Sequence, residues 1–269
     1  MLPIKLQFLL WGILLFAATA FAKTETGFLN RTVTIGKATF RYQVYVPANW
    51  NKSQKWPIIL FLHGAGERGD EGFLQTDTGI GMAIRRKNER FPAIIVMPQC
   101  RKEVWWTAPE MEAQALKALE QSTKEFNGDT QRTYLTGLSM GGYGSWAIGS
   151  KYPNKFAALA IICGGVKIPE RLRNMPGMLA QPAGVDPYAE VARKIGKTPT
   201  WIFHGEKDTT VPTDESRKMH EAMKAAGGNV KYTEYPGVAH NSWDKAYAEP
   251  ELMTWMLSHK LGANAVASK

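Results

Sequence analysis

Two apolar patterns divide the chain. Residues 31–35 and 39–46 alternate polar and apolar side chains, as strands with one covered face do, and Gly36-Lys37 turns the first back onto the second. Residues 58–62, 93–97, 133–138, 157–163 and 200–204 are more continuously apolar, the pattern of strands buried on both faces, and residues 230–235 alternate once more. Helices are expected over residues 109–126, 140–151, 214–226 and 243–260, with Pro109 suited to a first helical turn and Gly227-Gly228 to a stop. This order predicts an α/β fold: a mostly parallel central sheet of about eight strands, flanked by helices and antiparallel at its N-terminal edge.

The strand at 133–138 runs directly into Gly137-Leu138-Ser139-Met140-Gly141-Gly142, and a helix follows. A serine hydroxyl is a poor nucleophile at neutral pH, so it must stand clear on a tight turn where a base reaches its proton. Gly137 and Gly141 supply small residues two positions on either side of Ser139, making Ser139 the candidate nucleophile.

Two later segments continue the order nucleophile, acid, base. Residues 201–205 read as a buried strand, and the loop from Glu206 to Pro212 places Asp208 just beyond its C-terminal end. Residues 236–240 then carry His240 into the loop after the last strand, whereas His259 falls in the terminal helix. Ser139, Asp208 and His240 are therefore the candidate catalytic residues, with Glu206 and Asp214 as local rivals for the acid role. The strand at 58–62 breaks into His63-Gly64-Ala65-Gly66, a loop suited to turning backbone N–H groups toward an oxyanion. Met140 and Ala65 are the expected donors, and His63 is expected to orient the loop. Glu67, Arg68 and Asp70 are either a solvated run or a brace for it.

These motifs together resemble those of bacterial α/β-hydrolase esterases, including feruloyl-esterase-like, polyhydroxybutyrate-depolymerase-like and "predicted peptidase" members. The resemblance runs from about residue 44 to 257 through His63-Gly64-Ala65-Gly66-Glu67-Arg68-Gly69, Met97-Pro98-Gln99-Cys100, His204-Gly205-Glu206-Lys207-Asp208 and His240-Asn241-Ser242-Trp243. It implies a carboxylesterase acting through an acyl-enzyme, with feruloyl or acetyl esters of polysaccharides as the leading substrates. A serine peptidase of prolyl-oligopeptidase-like type is one alternative, and a non-catalytic carbohydrate- or envelope-binding protein on the same fold is another. Trp105, Trp106 and Trp243 fall in loops on the site's side and are candidate substrate contacts.

Composition changes this picture at the margins. The 269 residues, 44% of them hydrophobic, suit one catalytic domain over residues 23–269. Residues 1–22 carry Lys5, an apolar run and then Ala20-Phe21-Ala22, so they are read as a signal peptide cleaved after Ala22, which sends the protein to the periplasm or medium. No later run is long and apolar enough for stable membrane insertion after cleavage. The net charge of +9 is spread without an aromatic stripe, so no nucleic-acid partner is expected, only a small-molecule or polysaccharide-linked ester. No Cys or His cluster has metal-ligand spacing, so no metal or other cofactor is expected. Cys100 and Cys163 leave a disulfide or two buried thiols open, and residues 164–187 read as a surface excursion or a small cap.

Overall fold

The computed structural model describes residues 25–168 and 184–262; the expected leader over 1–22 and most of the excursion expected over 164–187 lie outside the described residues. Eight strands form one sheet: β1 (Gly27–Ile35), β2 (Ala38–Val46), β3 (Trp56–Leu62), β4 (Ile94–Pro98), β5 (Gly128–Leu138), β6 (Ala158–Ile162), β7 (Thr200–Gly205) and β8 (Val230–Tyr235). Their order is β1-β2-β4-β3-β5-β6-β7-β8. The β1–β2 and β2–β4 pairs are antiparallel and the remaining pairs parallel, as the change from alternating to continuous apolar runs predicts.

Each central strand feeds two cores because successive side chains leave opposite faces. Ile58, Leu60 and Leu62 of β3 pack with the apolar stripes of α2 (Pro109–Glu125), α3 (Met140–Lys151), α4 (Pro187–Ile195) and α5 (Asp214–Ala225). Ile59 and Phe61 face the other way, toward α1 (Ile80–Arg86), α6 (Trp243–Ala248) and α7 (Leu252–Ser258). The single helix expected over 243–260 is two helices. Pro250 removes a donor and pushes Glu249 to an extended ψ of 120°, so α6 stops before it and α7 starts after it.

This winding places the site. From β3 the chain passes to β4 on one side and then returns to β5 on the other, so the loops after β3 and β5 diverge around a crevice at the strands' C-terminal ends. Open parallel sheets bind ligands at such a switch point. The loops after β7 and β8 converge on the same edge.

Candidate active site

Ser139 sits between β5 and α3 at φ 52° and ψ −118°, a conformation that an L-residue adopts only under constraint. The constraint is packing. A Cβ on Gly137 would lie 2.3 Å from Gly141 O, and one on Gly141 would lie 1.9 Å from Leu62 O, so only hydrogen fits on either side of the serine. Its amide is tied to Ile162 O at 2.9 Å, which fixes the turn and leaves the hydroxyl projecting.

The acid and base loops are joined through their backbones before their side chains meet. Glu206 N donates to Tyr235 O at 3.0 Å and Lys207 N to Val238 O at 2.8 Å, while a Cβ on Gly205 would lie 2.2 Å from Ala239 O. His240 is thereby set against both neighbours: Nε2 lies 2.9 Å from Ser139 Oγ and Nδ1 lies 2.6 Å from Asp208 Oδ2. A carboxylate only accepts, so Nδ1 carries the proton and Nε2 is free to accept from the serine. The second carboxylate oxygen, Oδ1, accepts from Thr210 N at 2.8 Å and Val211 N at 2.9 Å. Burial pushes the Asp208 carboxyl up, but hydrogen bonds from His204, His240 and the Val211 amide outweigh it and hold the group well below the usual carboxylate range.

The rival acids are engaged elsewhere. Glu206 accepts from Gly237 N at 2.7 Å and so braces the loop that carries His240, and Asp214 pairs with Arg217 at the surface.

Opposite the serine, the loop after β3 turns into a short 3-10 stretch over Ala65–Glu67. A Cβ on Gly64 would lie 3.7 Å from Ser139 Cβ, which puts this loop in contact with the elbow. His63 holds it there. Its Nδ1 donates to Gly64 O at 2.6 Å, its Nε2 accepts from Cys100 N at 2.9 Å, and Trp106 Nε1 donates to His63 O at 3.0 Å. Burial outweighs the Gly64 bond and holds the His63 ring down to about 4, so it is neutral at neutral pH. Arg68 Nε donates to Ala65 O at 3.0 Å and braces the same turn. Met140 opens α3, where first-turn N–H groups have no acceptor within the helix and the dipole favours negative charge.

A family model for dienelactone hydrolases matches residues 97–251, a span that contains the elbow, the acid loop and the base loop. The chain belongs to the dienelactone hydrolase family. Among relatives of this dienelactone hydrolase family member, a secreted protein of uncharacterised function from Arthroderma benhamiae is 26% identical over 227 residues, covering 77% of this chain and 23% of its own. A bifunctional acetylxylan esterase/xylanase from Neocallimastix patriciarum is 30% identical over 118 residues, 44% of this chain and 17% of the relative. The chain thus spans less than a quarter of the length of either curated relative. Among solved structures, a thermostable esterase superposes with a TM-score of 0.71 at 29% identity, over 87% of this chain and 63% of that one.

The three tryptophans of this family member occupy different environments. Trp243 is half-buried and stands edge-on to His240 with ring centroids 5.3 Å apart. Trp105 packs edge-on against Tyr143 and lines a cavity of about 540 Å³ along α3, with Trp146, Val166 and Val191. Trp106 is fully enclosed and is spent on His63, so the expectation that it touches substrate is replaced by a structural role: its indole needs a partner, and the loop carbonyl is that partner. Both cysteines are free, buried thiols. Among the described residues one group of donors has metal-ligand proximity, Cys163, Asp208 and His240, whose ligating atoms lie within 4.8 Å of one another; two of the three are already committed to the hydrogen-bonded chain from Ser139.

Sequence reasoning missed one residue. His204, at the end of β7, also bonds Asp208. The available signal was a histidine four residues before the acid in an otherwise apolar strand.

Proposed function

We propose that the protein is an exported serine carboxylesterase, with Ser139 as nucleophile, His240 as general base and acid, and Asp208 as the group that orients His240. The observation that carries this reading is the unbroken chain from Ser139 Oγ through both nitrogens of His240 to a buried carboxylate, built at a constrained elbow. In this scheme His240 Nε2 takes the Ser139 proton as Oγ attacks the ester carbonyl. The carbonyl oxygen becomes an alkoxide, for which the N–H groups of Met140 and Ala65 are the proposed donors. As that intermediate collapses, the C–O bond to the alcohol breaks and His240 protonates the leaving oxygen. Water, deprotonated by the same imidazole, then attacks the acyl-enzyme and returns free serine and the carboxylic acid.

Acetyl or feruloyl esters of polysaccharides are the proposed substrates, with Trp105 and Trp243 as walls. The likeness to an acetylxylan esterase/xylanase supports the acetyl ester, and the leader-like residues 1–22 with the secreted relative support export. Hydrolysis of p-nitrophenyl acetate, butyrate and octanoate, methyl ferulate and a matched anilide, by the protein and by Ser139→Ala, tests the reading. Ester turnover reduced at least about 10³-fold in the variant is expected. Turnover of the anilide alone makes the protein a peptidase, and no turnover by folded parent removes the hydrolase reading.

A further inference from the structure

The scheme above leaves one fully buried histidine unused. His204 Nδ1 lies 2.7 Å from Ser216 Oγ, and its Nε2 lies 3.0 Å from both Asp208 Oδ2 and Val211 O. A carboxylate and a carbonyl only accept, so Nε2 carries the proton and shares it between them. Nδ1 is then an acceptor, and the Ser216 hydroxyl donates to it. The oxygen His204 reaches is the same Oδ2 that accepts from His240. Two imidazoles therefore donate to one carboxylate oxygen, while two backbone amides occupy the other.

We propose that His204 is a positioning residue that sets how tightly Asp208 holds the proton of His240, acting through the shared Oδ2. A donor on a carboxylate oxygen withdraws negative charge from it. With that donor gone, Oδ2 attracts the His240 proton more strongly, and His240 keeps its second proton to higher pH. The Ser216 hydroxyl works in the same direction, because donating to Nδ1 polarises the ring and makes Nε2–H a stronger donor.

The surroundings leave this coupling little competition. Facing His240 are Asp208, the Trp243 ring and the Cys163 thiol, which burial pushes up and so keeps neutral. Facing His204 from α5 is Ser216, and from the neighbouring strand β8 it is opposite Glu234, whose carboxylate is held by both arms of Arg217 at 2.6 and 2.9 Å. On its own loop the other acid, Glu206, is bound to Gly237 N. The Asp208 side chain is fully buried, so solvent screens the pair weakly.

The inference rests on the assignment of Ser139, His240 and Asp208 made above, and its test has a kinetic and a spectroscopic arm. The kinetic arm is kcat/KM for p-nitrophenyl acetate against pH in the parent, His204→Phe and His204→Gln. The acidic limb of the phenylalanine variant is expected to move up by roughly half a pH unit, about a 3-fold loss below the limb with the plateau far less affected. Glutamine, whose amide can still donate to Oδ2, should restore most of the parent profile. The spectroscopic arm is the low-field proton resonance of His240 Nδ1–H without substrate, expected to move in His204→Phe and to stay near its parent position in His204→Gln.

A folded His204→Phe that loses activity equally at every pH, with an unmoved resonance, overturns the proposal and leaves His204 as core packing. Should that variant melt below room temperature by circular dichroism, Ser216→Ala carries the same test. It predicts a smaller shift of limb and resonance in the same direction, and no movement in either overturns the proposal. Absence of ester turnover in the parent removes the esterase reading alone, because the resonance is read without turnover.

Discussion

The sequence His-Gly closes two strands of this sheet, and the two histidines do different work. His63 at the end of β3 and His204 at the end of β7 are both fully buried, and each is followed by a glycine packed tightly against another part of the site, Gly64 against Leu138 and Gly205 against Ala239. Among the described residues the His63 ring hydrogen-bonds to backbone, the Gly64 carbonyl and the Cys100 amide, with the Glu67 carboxylate farther off at 4.0 Å from Nδ1, so it fixes the path of a loop. His204 bonds to side chains, the Ser216 hydroxyl and the Asp208 carboxylate, so it reaches the charge at the centre of the site. A buried imidazole is therefore defined by what its two nitrogens touch. Against main chain it is a clamp, and against an ionised group it is a coupling element.

The strongest way to break this contrast is to change the carboxylate on which one histidine depends and the other does not. In Asp208→Asn the amide oxygen is drawn to the Thr210 and Val211 amides, which leaves the NH2 group facing both imidazoles. His240 Nδ1 must then accept, its proton moves to Nε2, and it presents a donor to Ser139 instead of a base. A fall in kcat of about 10⁴-fold is expected with the fold retained. A fall under ten-fold, measured on p-nitrophenyl acetate, would mean that the base takes its orientation from elsewhere.

Altering the clamp should cost less and show itself differently. His63→Gln loosens the turn that carries Ala65, the proposed oxyanion donor, so about 10²-fold in kcat is expected, the scale of one such donor, without movement of the acidic limb. Its second signature is in stability. Because His63 is held at about 4 in the fold and ordinary histidine titrates near 6.5, the unfolded chain binds more protons between those values. Stability should fall as pH drops through that window, by up to about 1.4 kcal/mol per pH unit from this group. Asp208, depressed in the fold, does not contribute there; its stabilisation is present above its ordinary value and is lost only in stronger acid. Thermal melts from pH 7 to 4.5 should show a shallower slope in His63→Gln than in the parent, and equal slopes would mean that His63 is protonated in the native state.

The contrast between the two histidines was only half legible in the sequence. His63 lies where an apolar strand breaks into glycines, which marks a loop that needs holding. The Ser139, Asp208 and His240 positions were readable for a similar reason: each follows a strand end, and their order along the chain is restrictive. His204 lies inside a strand, and the continuously apolar run of β7 says that it is buried without saying that Asp208 folds back to meet it. That contact depends on the turn by which Asp208 accepts from Thr210 and Val211, a geometry set by local hydrogen bonds and invisible to periodicity. Pro250 was a different kind of miss, since a proline inside an expected helix is an explicit break signal that the apolar spacing around it obscured.

The smallest expected effect sharpens the clamp side. Trp106 was expected at the substrate and instead donates to His63 O, within a loop that reaches the elbow through Gly64. Trp106→Phe keeps most of the ring volume and removes that single donor, leaving a buried carbonyl unpaired at a cost of about 1 to 3 kcal/mol. If Trp106 is a brace, the melting temperature falls while the ranking of acetyl, butyryl, octanoyl and feruloyl esters stays as in the parent, because no wall of the acyl site has changed. A reordered ranking with an unchanged melting temperature would place the indole on the substrate's path. Trp243→Phe is the matched control: half-buried and edge-on to His240, it should alter KM more than stability, so the two variants separate a residue that holds the loop from one proposed to face the ester.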